Sequence, residues 1–214
     1  MTILVIDAHE GGDIAIADVP GAYLHAEFPK DKNIILRMTN IFVDIMCDVN
    51  KEYKKHIVYE VNKRGKRIKC LYVKVLRALY GCLESAFLWY QLYSDTLKGL
   101  GFEINPYNRC VANKVINGEQ CTIVFYVDNN KISHVYEGVL TSVIEEISKH
   151  FGELTVSRGK RHNFLGMDIE IKDGKVHIGM KDQIAEAIEW GGSQSGKKPA
   201  TPATSNLFDK SEES

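Results

Sequence analysis

Three extended segments follow one another with almost no chain between them: CVANKVI (110–116), CTIVFYV (121–127) and KISHVY (131–136). Asn117-Gly118 stands at the first junction. That dipeptide is a strong signal for a two-residue hairpin, because both positions of the favoured turn need positive φ. At the second junction Asp128-Asn129-Asn130 reads as another tight turn, built from residues that tolerate positive φ. Strands joined so closely pair antiparallel, since a parallel return needs a long crossover. The rest of the chain must therefore be arranged around an antiparallel sheet.

Other segments supply more strands and at least three helices. DIAIAD (13–18) alternates and reads as a short strand ending at Asp18, and NIILRM (33–38) is a further strand. HIVYEV and RIKCLYV flank Asn62-Lys63-Arg64-Gly65 as a basic hairpin. The spacing predicts a helix over 84–100 with Leu88, Leu92, Thr96 and Leu100 on one face, closed by Gly99 and Gly101. VLTSVIEEISKHF (139–151) has apolar residues at helical spacing, NFLGMDIEI and KVHIGM are expected to pair around Asp173-Gly174, and DQIAEAIEW opens a third helix. From residue 191 to 214 the composition turns to Gly, Ser, Lys, Pro, Thr and acid, which reads as a linker or disordered tail. Gly191, Gly196 and Lys197 nearly fit a phosphate-binding P-loop. Lys198 stands where Ser or Thr is required, however, and the run follows a helix rather than a strand, so that reading is rejected. The order of elements is that of an α+β fold.

Composition bounds what this fold is for. No apolar run is long enough for a membrane span, and MTILVIDAHEGGD meets an acid too early for a signal peptide, so an intracellular chain without a membrane partner is expected. The five cysteines include no CxxC pair, and no two histidines stand at HExxH spacing, which argues against a zinc site. The net charge of −1 is unevenly spread. Between Lys51 and Arg77 ten lysines and arginines face two glutamates, an excess of eight positive charges that reads either as a solvated face or as a phosphate-binding patch.

Two acids stand out by position: Asp18 at the end of a strand and Asp128 in a hairpin turn. If the two strands lie side by side, both carboxylates reach one edge of the sheet. Such a pair suits Mg²⁺, which takes oxygen ligands and commonly uses one or two carboxylates together with substrate phosphates. Two such ions can serve an in-line phosphoryl displacement.

The segments DVPGAY (18–23), ALYGCLESAFLWY (78–90), FYVDNN (125–130) and FLGMDIEI (164–171) resemble, in order and approximate spacing, four motifs of the reverse transcriptases of copia-type long-terminal-repeat retrotransposons. The resemblance implies a right-hand polymerase palm with an antiparallel sheet flanked by helices, partial fingers and the start of a thumb. Residues 1–190 would be a fingers and palm fragment, with the catalytic palm at about 13–135 and primer-grip strands at about 163–180. It also implies RNA-directed DNA polymerase activity with two Mg²⁺, Mn²⁺ being an alternative, acting on an RNA or DNA template with primer and on deoxynucleoside triphosphates. By the same resemblance Asp18, the Val19 carbonyl and Asp128 would be metal ligands, and Asn129 would stand beside them. Tyr23 would exclude a 2′-hydroxyl, Gly81 and Glu84 would close the nucleotide pocket, and Tyr126 would support the primer terminus. Phe164, Leu165 and Gly166 would form the primer grip, and Lys160 would donate a proton to departing pyrophosphate. Trp89 and Tyr90 read as core. In the basic hairpin Lys63, Arg64, Lys66, Arg67 and Lys69 would contact nucleic acid. Such elements replicate in cytoplasmic particles whose products reach the nucleus, and the expected location follows from that.

The departures from the family pattern keep a second reading open. Asn129 stands where the family has a second aspartate, Glu84 replaces a glutamine and Phe87 a commonly basic residue. Only seventeen residues precede Asp18, so most of the family's fingers are expected to be missing, and no ribonuclease domain is expected after the tail. The alternatives are a degenerate or repurposed fragment that binds nucleic acid without polymerising, and a structural α+β protein whose acids are turn residues.

Overall fold

The computed structural model describes residues 2–191; the tail expected over 192–214 lies outside the described residues. In chain order the elements are α1 (Thr2–Glu10), β1 (Asp13–Asp18), α2 (Ala22–His25), β2 (Ile35–Thr39), α3 (Ile41–Val49), a 3-10 turn (Lys51–His56), β3 (Val58–Val61) and β4 (Arg67–Lys74). They continue as α4 (Ser85–Gly99), β5 (Glu103–Ile104), β6 (Val111–Ile116), β7 (Glu119–Tyr126), β8 (Asn129–His134) and α5 (Glu137–Phe151). The last are β9 (Thr155–Arg158), β10 (Arg161–Phe164), β11 (Met167–Lys172), β12 (Lys175–Gly179) and α6 (Lys181–Gly191). Gly191, read from sequence as the first residue of the tail, is instead the end of α6.

The fold is mixed α+β with antiparallel sheets. A central six-stranded sheet has the order β5-β6-β7-β8-β1-β9. The β6-β7-β8 meander expected from the turns forms its middle, and Asn117 and Gly118 both adopt positive φ, 55° and 84°. The second turn differs from expectation. Its residues are Val127 and Asp128, with Val127 at φ 55°, while Asn129 and Asn130 are already paired in β8. Strand pairing outweighs local preference there: the register Phe125↔Asn130 and Tyr126↔Asn129 leaves only Val127 and Asp128 to turn the chain. A β-branched residue in the left-handed region is a strained one.

One face of the central sheet is covered by α4 and α5. Ala15, Ala17, Ile123, Phe125 and Ile132 meet Trp89, Tyr93, Leu97, Leu140, Ile147 and Phe151 in the largest core cluster. The buried face of α4 is Ser85, Trp89, Tyr93 and Leu97, one position round from the predicted Leu88-Leu92-Thr96-Leu100 stripe. The aromatic pair fills more volume against the sheet than the leucines would. Leu88 and Leu92 pack instead against Ala26, Phe28, Val75 and Ala78 at the start of the helix.

The opposite face carries Ile14 and Ile16, and α1 and the β10-β11-β12 sheet pack on it through Leu4, Phe164 and Ile169. NFLGMDIEI is therefore not one strand. It folds back at Leu165-Gly166 (φ 50° and 76°) so that Phe164 pairs with Met167. A Cβ on Gly166 would lie 3.1 Å from the Gln183 side-chain amide, and together with its φ of 76° this makes glycine the favoured residue there. A third sheet, β2-β4-β3, holds the basic hairpin and is backed by α3 through Val43, Cys47 and Leu71.

Helix α1 was not legible as a helix, and what seats it is a buried ion pair. Asp7 on α1 accepts from the Lys131 ammonium in the middle of β8, and Lys131 also donates to Ser133 Oγ at 2.9 Å. Asp7 and Lys131 are 5% and 2% exposed.

Candidate active site

Strand β1 lies between β8 and β9, and its register with β8 ends at Asp18↔Asn129. Immediately beyond, the Val19 amide donates to the Asp128 carbonyl at 3.0 Å. The end of β1 and the β7-β8 turn thus sit side by side, bringing together the two acids separated by 110 positions in the chain. The Asp18 carboxyl is held above the usual carboxylate range, by burial first and then by the charge of Asp128. A partly buried carboxylate with a second carboxylate beside it is a donor set whose repulsion a hard cation relieves.

Around the pair the structure adds groups that the motif reading had not assigned. The Tyr80 hydroxyl donates to Asp128 Oδ2 at 3.2 Å, and its ring packs on that of Tyr23 with centroids 4.3 Å apart. Burial and then the Asp128 charge raise the Tyr80 phenol, so it keeps the proton that this bond needs. Tyr80 was within reach of the sequence, lying in the same quoted segment as Gly81 and Glu84. The Trp89 indole N–H donates to the Val127 carbonyl at 2.7 Å. Trp89 is buried, as expected of a core residue, yet it also touches the turn.

Asn129 turns its amide nitrogen to Asp128 Oδ1 at 3.0 Å, so its oxygen is the atom Asp128 does not engage. Asn130 is wholly buried and donates to the Asp128 carbonyl at 3.0 Å and to the Ala17 carbonyl at 3.4 Å. That second bond crosses from β8 to β1 and ties the strand that carries Asp18 to the strand that follows Asp128.

The remaining sequence candidates lie at different distances from the acids. Tyr23 is half-buried beside the acids through Tyr80. Tyr126 is exposed at the end of β7, and Gly81 is exposed at φ 91°. Glu84 is ion-paired with Lys32, which offsets the negative charge that its sequence position introduced. Phe164 is buried against Ile14 and Ile16, on the face that Asp18 shares by strand alternation, with Leu165 and Gly166 forming the turn beyond it.

Lys160 is not brought to the site. Its carbonyl accepts from Ile171, and it lines a cleft with Gly11, Gly12, Asp13 and Gly174 at the start of β1. Asp18 lies at the other end of that strand, about 17 Å away at the ordinary rise per residue. That separation exceeds the reach of a lysine side chain.

In the basic hairpin the five candidates are also unequal. Lys69 pairs with Asp44, and the Arg67 guanidinium lies 4.4 Å over the Tyr59 ring. Lys63, Arg64 and Lys66 are exposed around Gly65 and form no ion pair among the described residues. The Asn62 side chain holds this turn, accepting from the amides of Arg64 (2.9 Å) and Lys66 (3.0 Å).

The fit to a divalent metal follows from these donors. Among the described residues no group of three or more His, Cys, Asp or Glu side chains gathers. Two adjacent carboxylates without a third protein acid suit Mg²⁺ completed by water and substrate phosphate rather than an all-protein cage.

Residues 2–204 match the family model described as "Reverse transcriptase (RNA-dependent DNA polymerase)". No curated protein matches the chain. Among solved structures, apo telomerase from Candida tropicalis truncated from its C-terminal domain is 13% identical over 83% of this chain and 38% of that chain, with a TM-score of 0.42. Telomerase from Candida albicans in complex with the TWJ fragment of telomeric RNA is 10% identical over 83% of this chain and 34% of that chain, with a TM-score of 0.43. The chain spans well under half the length of these structures.

Proposed function

The chain belongs to the reverse transcriptase (RNA-dependent DNA polymerase) family of copia type, and on that premise we propose that residues 13–135 act as a polymerase palm for RNA-directed DNA synthesis. Residues 163–180 are then the primer-grip strands, and the β2-β4-β3 sheet, inserted within the 13–135 span, forms the partial fingers. The observation that carries the reading is the register of β1 against β8, which sets Asp18 beside Asp128 at one end of the sheet.

In this reading Asp18, Asp128 and the Val19 carbonyl hold Mg²⁺, with Mn²⁺ as a substitute. When bound, the metal supplies charge neutralisation for transfer of a nucleotidyl group from a deoxynucleoside triphosphate to a primer 3′-hydroxyl. Tyr23, braced by the Tyr80 ring, occupies the space that a 2′-hydroxyl would need and so favours deoxynucleotides. Tyr80 orients the Asp128 carboxylate through its hydroxyl, and Lys32 beside Glu84 offsets negative charge where the triphosphate approaches. Lys63, Arg64 and Lys66 offer a phosphate-facing patch for template and primer. Lys160 has no part in this chemistry.

A second reading is favoured by one specific observation. Asn129 gives its N–H to Asp128 and so takes up, with a neutral group, a lone pair that a metal would use. On that ground the chain binds nucleic acid with little or no polymerisation.

Primer extension on an RNA template with Mg²⁺ distinguishes the two. The expected result is weak extension, abolished by Asp18→Ala or Asp128→Ala and increased by Asn129→Asp. If the Asn129→Asp protein is folded, binds primer-template and still adds no nucleotide, the polymerase reading fails and the binding reading stands.

A further inference from the structure

We propose that Trp89 is a positioning residue for Asp128, acting through the hydrogen bond from its indole N–H to the Val127 carbonyl. The turn that aims Asp128 is not self-supporting. Val127 sits at φ 55°, a conformation that β-branched side chains resist, and no glycine is present to relax it. Val127 packs only partly on the main core: it is half-buried and lines a small apolar pocket of about 150 Å³ together with Trp89, Ala86, Tyr90, Cys110 and Phe125. The Val19 amide and the Asn130 side chain hold the turn at the Asp128 carbonyl, and the 2.7 Å bond from Trp89 holds it at the carbonyl of the strained residue itself.

Trp89 is itself fixed in place. It is 2% exposed, stacks on Tyr93 with centroids 5.2 Å apart and meets the edge of Phe151 at 5.1 Å. Its ring also lies 6.1 Å from that of His25, in the helix that follows Asp18. One indole therefore lies against both the turn that carries Asp128 and the short helix that follows Asp18. A buried indole N–H needs an acceptor, and here the acceptor is the carbonyl of the strained turn residue, so one bond serves both the core and the turn.

The consequence for metal binding rests on the reading of Asp18 and Asp128 as the metal-holding pair, whereas the effect on the turn does not. The test therefore has two readouts. The first is hydrogen exchange of the Val19 amide, which donates to the Asp128 carbonyl and reports the turn without any metal. Trp89→Phe keeps a buried ring and removes the donor; exchange at Val19 is expected to quicken about fivefold, the equivalent of one ordinary hydrogen bond. The second is Mn²⁺ affinity followed by electron paramagnetic resonance, expected to weaken by a similar factor. In Trp89→Ala, added indole should restore both, and benzofuran, of the same shape but without the N–H, should restore neither.

Unchanged Val19 exchange in Trp89→Phe overturns the proposal, as does rescue by benzofuran equal to that by indole. If Trp89→Ala does not fold, the Trp89→Phe exchange rate decides alone. If exchange quickens but the wild-type chain binds no Mn²⁺, the metal-pair reading fails and the positioning role stands.

Discussion

Replacing Lys131 by methionine should destabilise the protein far more than any change at the exposed basic hairpin. Lys131 is 2% exposed in the middle of β8, and its ammonium is shared between Asp7 on α1 and Ser133. Methionine fills much the same volume, so little cavity term arises. What remains is the Asp7 carboxylate, 5% exposed and without its counter-charge. Removing one member of a buried pair costs about 3–5 kcal/mol. At about 2–4 °C per kcal/mol for a chain of this size, the midpoint should fall by roughly 10 °C.

The reverse change, Asp7→Leu, should cost less. Burial already pushes the Lys131 ammonium down against the opposing pull of Asp7, so without that partner the lysine can shed its proton. The double replacement should recover most of the loss, because two apolar groups of similar volume often serve as well as a buried pair. Urea and thermal unfolding, followed by the fluorescence of buried Trp89 and by circular dichroism, would measure all four proteins. A Lys131→Met midpoint within about 1 °C of wild type, or a double variant no more stable than Lys131→Met, would refute the reasoning.

Three further outcomes follow from the same geometry. Asp18→Asn should raise stability at neutral pH by a few tenths to about 1 kcal/mol, since it removes a partly buried charge and its repulsion with Asp128, on the scale of neighbouring like charges in a sheet. Because the folded-state pKa of Asp18 is raised, the cost of its charge is present above that pKa and vanishes below the unfolded value of 3.8. The advantage of the Asp18→Asn protein in unfolding curves should therefore shrink as the pH falls through that window. Changing Lys63, Arg64 and Lys66 together to alanine should weaken RNA binding at low salt and reduce the slope of log affinity against log salt by about 2, measured by anisotropy titrations. Gly166→Ala should cost about 1–2 kcal/mol, from its positive φ and the 3.1 Å approach to Gln183, with hydrogen exchange quickening first in β10 and β11.

Much of the scaffold was open to reading because its signals are local. Asn117-Gly118 makes its hairpin whatever surrounds it, and the 139–151 spacing buries Val143, Ile147 and Phe151 as a helix should. The leucine stripe on α4 is only partly buried for a tertiary reason: its spacing gives the helical period, but the sheet takes the adjacent face with Trp89 and Tyr93, the first of which the sequence also read as core. Helix α3 went unread because it is short and several of its apolar residues, Ile41, Phe42, Ile45 and Val49, stay exposed while only Val43 and Cys47 are buried, so apolar character does not mark the inward face. Lys160 misled for a related reason. Its place after a helix says nothing about which end of β1 it reaches.

The sequence by itself determined most of the strands, the two long helices, the antiparallel meander and the two acids, since turn preference and side-chain periodicity act between near neighbours. Tertiary structure alone decided that β1 enters between β8 and β9, which sets Asp18 beside Asp128. It alone placed strain on Val127 rather than on the asparagines, and it paired Asp7 with Lys131 and Trp89 with the turn. Each of these depends on strand register and close packing between distant segments, and a register is set by all of the contacts it satisfies at once.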